Sequence, residues 1–167
     1  MRILMDENQI ERTIKRMTHE IIEKYASCEQ LVLVPILSKG NAIAQLIREH
    51  LQTFAGVEVP ITPVNITFYR DDKIQEGPRF STDLSGKHVV LVDDVLYTGR
   101  SVRAALDALM DAGRPASIAL ATLIDRGHRE LPIRPDVIGK NIPTRKNETV
   151  HVDMMSFQVT VEEEEAA

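Results

Sequence analysis

A doubly wound α/β sheet is the fold class this sequence predicts, on three observations. Continuous apolar runs of strand length recur at residues 31–36, 89–92 and 117–124, the pattern of strands buried on both faces. Helical-period patterns alternate with them, as crossover connections between parallel strands require. The run at 89–92 leads into Asp93-Asp94, then a loop holding Thr98, Gly99 and Ser101, then an amphipathic pattern carried by Val102, Ala105, Leu106 and Leu109. In open parallel sheets ligands sit at the carboxyl ends of strands, where loop amides and a helix N-terminus face them.

The elements follow in order. Asp6 with Gln9 three residues later predicts an N-cap and capping box. Ile10, Ile14, Met17 and Ile21 then predict a first helix ending near Tyr25. The strand at 31–36 carries Pro35 near its end, where a missing ladder donor is tolerable. Ser38-Lys39-Gly40 turns the chain into a second helix marked by Ile43, Leu46, Ile47 and Leu51 and closed by Gly56. Another strand is expected at 64–69, followed by a polar loop over about 70–85, of the length of a lid. The helix after Ser101 is expected to end at Gly113, a good C-terminal cap. A strand at 117–124, an irregular basic connection at 126–135, a short strand at 136–142 and an edge strand at 151–161 complete the chain before an acidic tail at 162–167. With no internal repeat and no linker, residues 1–167 are expected to form one domain.

Composition narrows the function classes. The chain has 167 residues, 43% hydrophobic and 27% charged, with a formal net charge of −5, the profile of a globular protein and not of a generic nucleic-acid binder. No apolar run reaches bilayer-spanning length and the N-terminus lacks a signal-peptide core. One cysteine, Cys28, permits no internal disulfide, which fits a reducing, cytoplasmic setting. Cys28 itself reads as a partly buried residue at a helix end. Charge is uneven, however: residues 126–146 hold six Lys or Arg against two acids, so a local basic patch is hidden in an acidic whole. His19, His50, His88 and His151 show no metal-ligand spacing and read as surface or helix-face residues.

Two loops carry candidate chemistry. The acidic pair Asp93-Asp94 suits ribose hydroxyls, and the backbone N–H groups and hydroxyls of the following loop suit a phosphate. The bland alternative is a turn and helix cap. Ser38-Lys39-Gly40 offers a hydroxyl, a cation and a glycine; alone it reads as an ordinary helix start, and beside the first loop as a pyrophosphate site. A lid bearing Arg70, Lys73 and Arg79 would close over pyrophosphate and exclude water.

The segment from Asp93 to Ser101 resembles the phosphoribosyl-pyrophosphate (PRPP) loop of type I phosphoribosyltransferases. Residues 92–100, 125–134 and 138–144, with 6–20, 69–72 and 107–109, are similar to the PyrR family, pyrimidine-operon attenuation regulators that also act as uracil phosphoribosyltransferases. The resemblance implies a type I phosphoribosyltransferase fold with a small hood and a mobile lid. It implies that Asp93 and Asp94 hold the ribose hydroxyls, that Thr98, Gly99, Arg100 and Ser101 wrap the 5′-phosphate mainly through backbone N–H groups, and that Val95 and Tyr97 belong to the same PRPP or UMP site. Ser38, Lys39 and Gly40 would meet pyrophosphate, Mg²⁺ would be bound mainly through PRPP or pyrophosphate, and Asp93, Asp94, Arg70 and Lys39 would form the catalytic set. A hood around Val137, Ile138 and Gly139, with Arg126, would face uracil. His19, His128, Arg129, Arg134 and Lys140 would bind an mRNA leader stem-loop under the control of UMP or UTP. A homodimer or higher homo-oligomer is implied too.

The chain departs from the family at several points. Ser38-Lys39-Gly40 stands where the family commonly has Thr-Arg-Gly, and lysine lacks the bidentate fork of arginine. Pro35 and Leu37 replace the usual glycine and lysine, the lid is shorter, and Lys15 stands where a threonine occurs on the RNA-facing helix. These changes put catalytic efficiency in question more than RNA binding. Two other readings therefore stay open: a salvage enzyme for a purine or another base without an RNA role, and a catalytically weak nucleotide sensor.

Overall fold

A computed structural model of the protein describes residues 1–66 and 83–165. In chain order its elements are β1 (Arg2–Met5), α1 (Glu7–Tyr25), β2 (Leu31–Pro35), α2 (Gly40–Ala55), β3 (His88–Leu96), α3 (Arg100–Asp111), β4 (Ser117–Asp125), β5 (Val137–Asn141), β6 (Glu148–Asp153) and β7 (Gln158–Glu163). Strands β2, β3, β4 and β5 form a parallel sheet in that order. Residues Ile61 and Val64 add parallel bridges to Leu33 and Ile36 on the free side of β2.

The helices form where the sequence asks for them. The Asp6 carboxylate accepts the Gln9 N–H at 2.9 Å and the Gln9 side chain accepts the Asp6 N–H at 2.9 Å, which satisfies two of the orphan donors at the start of α1. Ile10, Ile14, Met17 and Ile21 are fully buried along its inner face. Gly56 closes α2 with φ 66°, a left-handed conformation that costs glycine nothing.

Because side chains alternate along a strand, the sheet feeds two cores. Leu33, Val90, Val92 and Ala121 pack with α1 and α2. Val34, Leu91 and Leu120 pack with Val102, Ala105 and Leu109 of α3. The chain leaves β2 by way of α2 on one face and leaves β3 by way of α3 on the other. Connections diverging in this way make the carboxyl ends of β2 and β3 a topological switch point, the place where open α/β sheets bind ligands.

The region expected to be one edge strand at 151–161 is instead a hairpin. Asp153 accepts the N–H groups of Met155 and Ser156 at 2.9 and 3.2 Å, and Phe157 adopts φ 52°; this side-chain-stabilised turn reverses the chain. The hairpin β6–β7 pairs antiparallel, and β1 adds to β7, giving a three-stranded hood. Met5, Val150, Val152, Val159 and Val161 join the α1/α2 core. Strand β1, too short to show periodicity, was not expected. Strand β7 also absorbs Glu162 and Glu163, the first acids of the expected tail. Residues 137–139, expected in the hood, belong to β5 of the parallel sheet. His88 is a strand residue, its ring nitrogen 2.6 Å from Ser117 Oγ. Of the strand expected at 64–69, Val64 makes a bridge and residues 67–69 lie outside the described residues, as does most of the expected lid.

Candidate functional site

The β2–α2 turn is held against β3 by a missing side chain. A Cβ on Gly40 would lie 2.2 Å from the Val92 carbonyl oxygen, so only glycine lets α2 begin there. That approach brings Ser38 and Lys39 to the strand level at which Asp93 follows Val92. The Leu37–Ser38 peptide is cis.

The acidic pair does not end its strand. β3 continues to Leu96, with Asp93 opposite Thr122 and Leu96 opposite Asp125. Asp93 is 7% exposed. Its burial, then the neighbouring Asp94 carboxylate, push the Asp93 carboxyl well above the usual range, because both disfavour the charged form. Asp93 accepts the Asp94 N–H at 2.9 Å and Asp94 accepts the Val95 N–H at 2.7 Å, which leaves acceptor capacity for ligand hydroxyls. Oxygen-only donors of this kind fit a hard cation that keeps waters and substrate phosphates as its other ligands. Among the described residues no cluster of three or more His, Cys, Asp or Glu could hold a metal, so a cation here would share its ligands with a substrate.

Beyond Leu96 come Tyr97, Thr98 and Gly99, the last with φ 93° at the N-cap of α3. Neither Gly99 nor Lys39, at the N-cap of α2, supplies a capping side-chain bond. Two helices therefore begin at the switch point with no cap bond from the N-cap side chain, while α1 starts from the Asp6–Gln9 capping box. Leading N–H groups and the helix dipole together suit anions such as phosphate. Thr98 Oγ1 accepts the Arg100 N–H at 3.3 Å, and Ser101 is exposed in the first turn.

Residues 125–134 are tied to this loop. Glu130 and Leu131 donate backbone N–H groups to the Thr98 carbonyl at 2.9 and 3.2 Å. Arg129 donates to the Asp125 carboxylate at 2.6 Å, the Tyr97 carbonyl at 2.8 Å and the Ile133 carbonyl at 2.9 Å. Arg100 pairs with Glu130 at 2.9 Å. Arg126, 6% exposed, donates to Thr144 Oγ1 and to the carbonyls of Arg145 and Glu148, and its guanidinium lies 4.1 Å from the Tyr97 ring centroid. Both arginines thus use their forks to join strand ends, Arg126 linking the sheet to the hood. Glu130, the partner of Arg100, was not singled out from sequence, although its place inside the charged string was the available signal.

The remaining expected residues are dispersed. Val137 and Gly139 are buried in β5; a Cβ on Gly139 would sit 2.3 Å from the Leu123 carbonyl oxygen, and Arg16 of α1 donates to the carbonyls of Ile138 and Gly139. His128 Nε2 lies 2.6 Å from the Thr144 carbonyl oxygen. Arg134 and Lys140 are exposed on either side of that strand segment. His19 lies on α1 against Phe54 of α2. Arg70, Lys73 and Arg79 lie outside the described residues. A cleft of about 470 Å³ separates Ser38, Lys39 and Ala42 from the hood segment 151–155, so the expected pyrophosphate turn faces the hood across open space.

The phosphoribosyl transferase domain family matches residues 3–156. The chain is 49% identical over 164 residues to the bifunctional protein PyrR of Brevibacillus brevis, covering 94% of this chain and 92% of that protein. It is 51% identical over 163 residues to the bifunctional protein PyrR of Limosilactobacillus fermentum, covering 92% and 91%. Among solved structures, the hypoxanthine phosphoribosyltransferase of Trypanosoma cruzi superimposes with a TM-score of 0.80 at 22% identity, covering 99% of this chain and 98% of that one; likeness at that identity speaks to the fold alone. With the acidic pair, the two helix starts and the hood all at one switch point, the chain belongs to the PyrR family of phosphoribosyltransferase-fold proteins.

Proposed function

We propose that the protein is a UMP-responsive, RNA-binding regulator of pyrimidine biosynthesis genes, acting by transcription attenuation, that also makes UMP and pyrophosphate from uracil and PRPP. Membership of the PyrR family supports both halves. The observation that carries the reading is one site continuous with one basic loop: the Asp93-Asp94 strand end runs into residues 97–101, and that loop is hydrogen-bonded to residues 129–131. The whole chain, on this reading, works as a single phosphoribosyltransferase-type unit in the cytoplasm, as a homodimer or larger homo-oligomer.

In the proposed mechanism Asp93 and Asp94 accept hydrogen bonds from the ribose hydroxyls. The α3 start, with Thr98 and Ser101, receives the 5′-phosphate, and Val95 and Tyr97 border it. Ser38, Lys39 and Gly40 receive pyrophosphate, and Arg70 is retained as an expected catalytic cation. Bound Mg²⁺ would neutralise phosphate charge, held through substrate oxygens with Asp93 and Asp94 as the protein's contribution. The bond from C1′ to pyrophosphate breaks as uracil N1 bonds to C1′, and the N1 proton passes to the released pyrophosphate or to solvent; positive charge develops on the ribose and negative charge on the leaving group. Lys39 and the α2 start would stabilise that negative charge as it gathers. Residues 137–139 border the base, and Arg126 orients Tyr97 beside it. His19, His128, Arg134 and Lys140 meet RNA, with Arg129 fixing the loop that carries Arg134.

The test is direct. Uracil, PRPP and Mg²⁺ should yield UMP, and an RNA stem-loop should bind more tightly when UMP is present and more weakly as salt rises. No UMP formed would remove the enzymatic half; RNA affinity indifferent to UMP would remove the regulatory one. A catalytically weak sensor is the second reading, favoured by Lys39 at the pyrophosphate turn. Lys39→Arg should then raise the rate, and no gain would count against it.

A further inference from the structure

Outside the nucleotide site, α1 and α2 build a second chemical feature from two i, i+4 pairs. Lys15 and His19 are exposed on α1; His50 and Phe54 lie on α2. Phe54 is 40% exposed. The His19 ring centroid is 4.6 Å from that of Phe54, tilted by 40°. The His50 ring is 5.7 Å away and stacked at 21°. Lys15 Nζ lies 5.1 Å from the Phe54 centroid. A solvent-facing phenyl ring is thus flanked by two imidazoles and an ammonium on a protein of net charge −5. Arg16, one residue after Lys15, donates to the carbonyls of Ile138 and Gly139, which fixes α1 to the strand whose next residue is Lys140.

An exposed aromatic ring flanked by two imidazoles and an ammonium has a specific use. Unpaired nucleic-acid bases stack on aromatic and imidazole faces while neighbouring cations meet the phosphates. A buried aliphatic partner would need neither the imidazoles nor the lysine, and an acidic or anionic chain bearing flat rings needs both. We infer that Phe54, with His50 beside it, forms a stacking platform for one unpaired base of the bound RNA, extending the RNA face from α1 onto α2. The inference rests on the RNA-binding reading above and adds a contact of a different kind, one that grips a base face where the basic residues grip phosphates.

The probe is an RNA stem-loop selected from a randomised-loop pool by the wild-type protein, used with 2-aminopurine at each unpaired loop position. Phe54→Leu should weaken binding roughly 5- to 150-fold, the range for one lost base stack. The slope of affinity against salt should stay unchanged, because no phosphate contact is removed. One loop 2-aminopurine should be quenched by the wild type and bright with Phe54→Leu, Phe54→Tyr should restore quenching, and UMP synthesis should be unaltered. Wild-type binding with Phe54→Leu unchanged in affinity and quenching overturns the platform while the RNA reading stands. Absence of wild-type binding to every selected RNA overturns both. If Phe54→Leu instead lowers the oligomeric state in sedimentation, the face belongs to a second copy of the chain and the platform is overturned.

Discussion

Arg129 gives the sharpest prediction, because its position in the charged string suggests RNA contact and its surroundings argue for a positioning role. Its side chain is 23% exposed and that of its partner Asp125 13%. Its three donors reach Asp125, Tyr97 and Ile133, joining the end of β4, the turn after β3 and the approach to β5. Arg129→Ala leaves a largely buried carboxylate without its cation, keeping the Gly127 N–H at 3.0 Å, and frees two carbonyls. Removing one partner of a buried ion pair costs about 3–5 kcal/mol; with Arg129 partly solvated and the carbonyls open to hydration, about 3 kcal/mol is expected here. For a chain of this length 1 kcal/mol moves the midpoint by about 2–4 °C, so thermal unfolding followed by circular dichroism should show a fall of about 6–12 °C. Arg129→Lys keeps a charge for Asp125 without the fork and should recover part of the loss. Arg134→Ala, at an exposed position in the same loop, should change stability by no more than about 0.5 kcal/mol, while still weakening RNA binding. An Arg129→Ala midpoint within a degree of wild type would refute the positioning role and return Arg129 to the RNA-contact set.

Three further outcomes are expected. The folded Asp93 carboxyl is raised by burial and by Asp94, so its contribution to stability is complete below the ordinary carboxylate range near pH 4 and is lost as pH rises through its folded value; Asp93→Asn should unfold at higher temperature than wild type at neutral pH without ligand, with the gap closing in acid, and should lose PRPP-dependent UMP formation. Gly40→Ala would drive a Cβ to 2.2 Å from the Val92 carbonyl oxygen, a backbone clash that should cost about 1–3 kcal/mol or more in urea unfolding and raise the KM for PRPP by displacing the 38–40 turn. Glu130→Gln removes an exposed pair with Arg100, so stability should change by less than about 1 kcal/mol, yet the increase in RNA affinity caused by UMP should shrink in a titration with and without nucleotide.

The parts of this structure legible in the sequence were those with a local cause. The capping box at Asp6 and Gln9, the apolar faces of α1 and α2 and the buried parallel strands each follow from short-range pattern, and all formed as expected. The hood escaped because its strands are short and find partners far apart in sequence: β1 pairs with β7 across the whole chain, which no periodicity encodes. The acidic pair looked like a strand terminus because charge usually ends a buried run, whereas β4 continues beside β3 and carries the ladder through Asp93 to Leu96. The roles of Arg126 and Arg129 were hidden for a related reason. A charged string predicts solvation, and only the fold reveals that Arg126 reaches Thr144, Arg145 and Glu148, 18 to 22 residues further on, and that Arg129 reaches the Tyr97 carbonyl 32 residues back.

The bonds between residues 97–101 and 125–134 explain why one chain would join nucleotide chemistry to RNA binding. Leu96 accepts the Arg126 N–H, Thr98 accepts two N–H groups from the string, and Tyr97 accepts Arg129. A Cβ on Gly99 would lie 3.3 Å from the Ile133 side chain, and Arg134 follows Ile133 directly. On the proposed reading, a nucleotide phosphate that orders the α3 start would therefore act on the backbone that presents Arg134. It changes RNA affinity only so far as it binds one arrangement of this loop pair better than another, and the reciprocal coupling between such sites is typically about 1–3 kcal/mol. Most of the clamp is backbone bonding and the Arg129 fork, which would be present with or without nucleotide. The Arg100–Glu130 pair is different: it is exposed and joins residues 97–101 to the string, so on the proposed reading a phosphate arriving at the α3 start would compete with Glu130 for the Arg100 guanidinium. On that reading Glu130 is the residue at which occupancy of the nucleotide site would become a change in the basic loop.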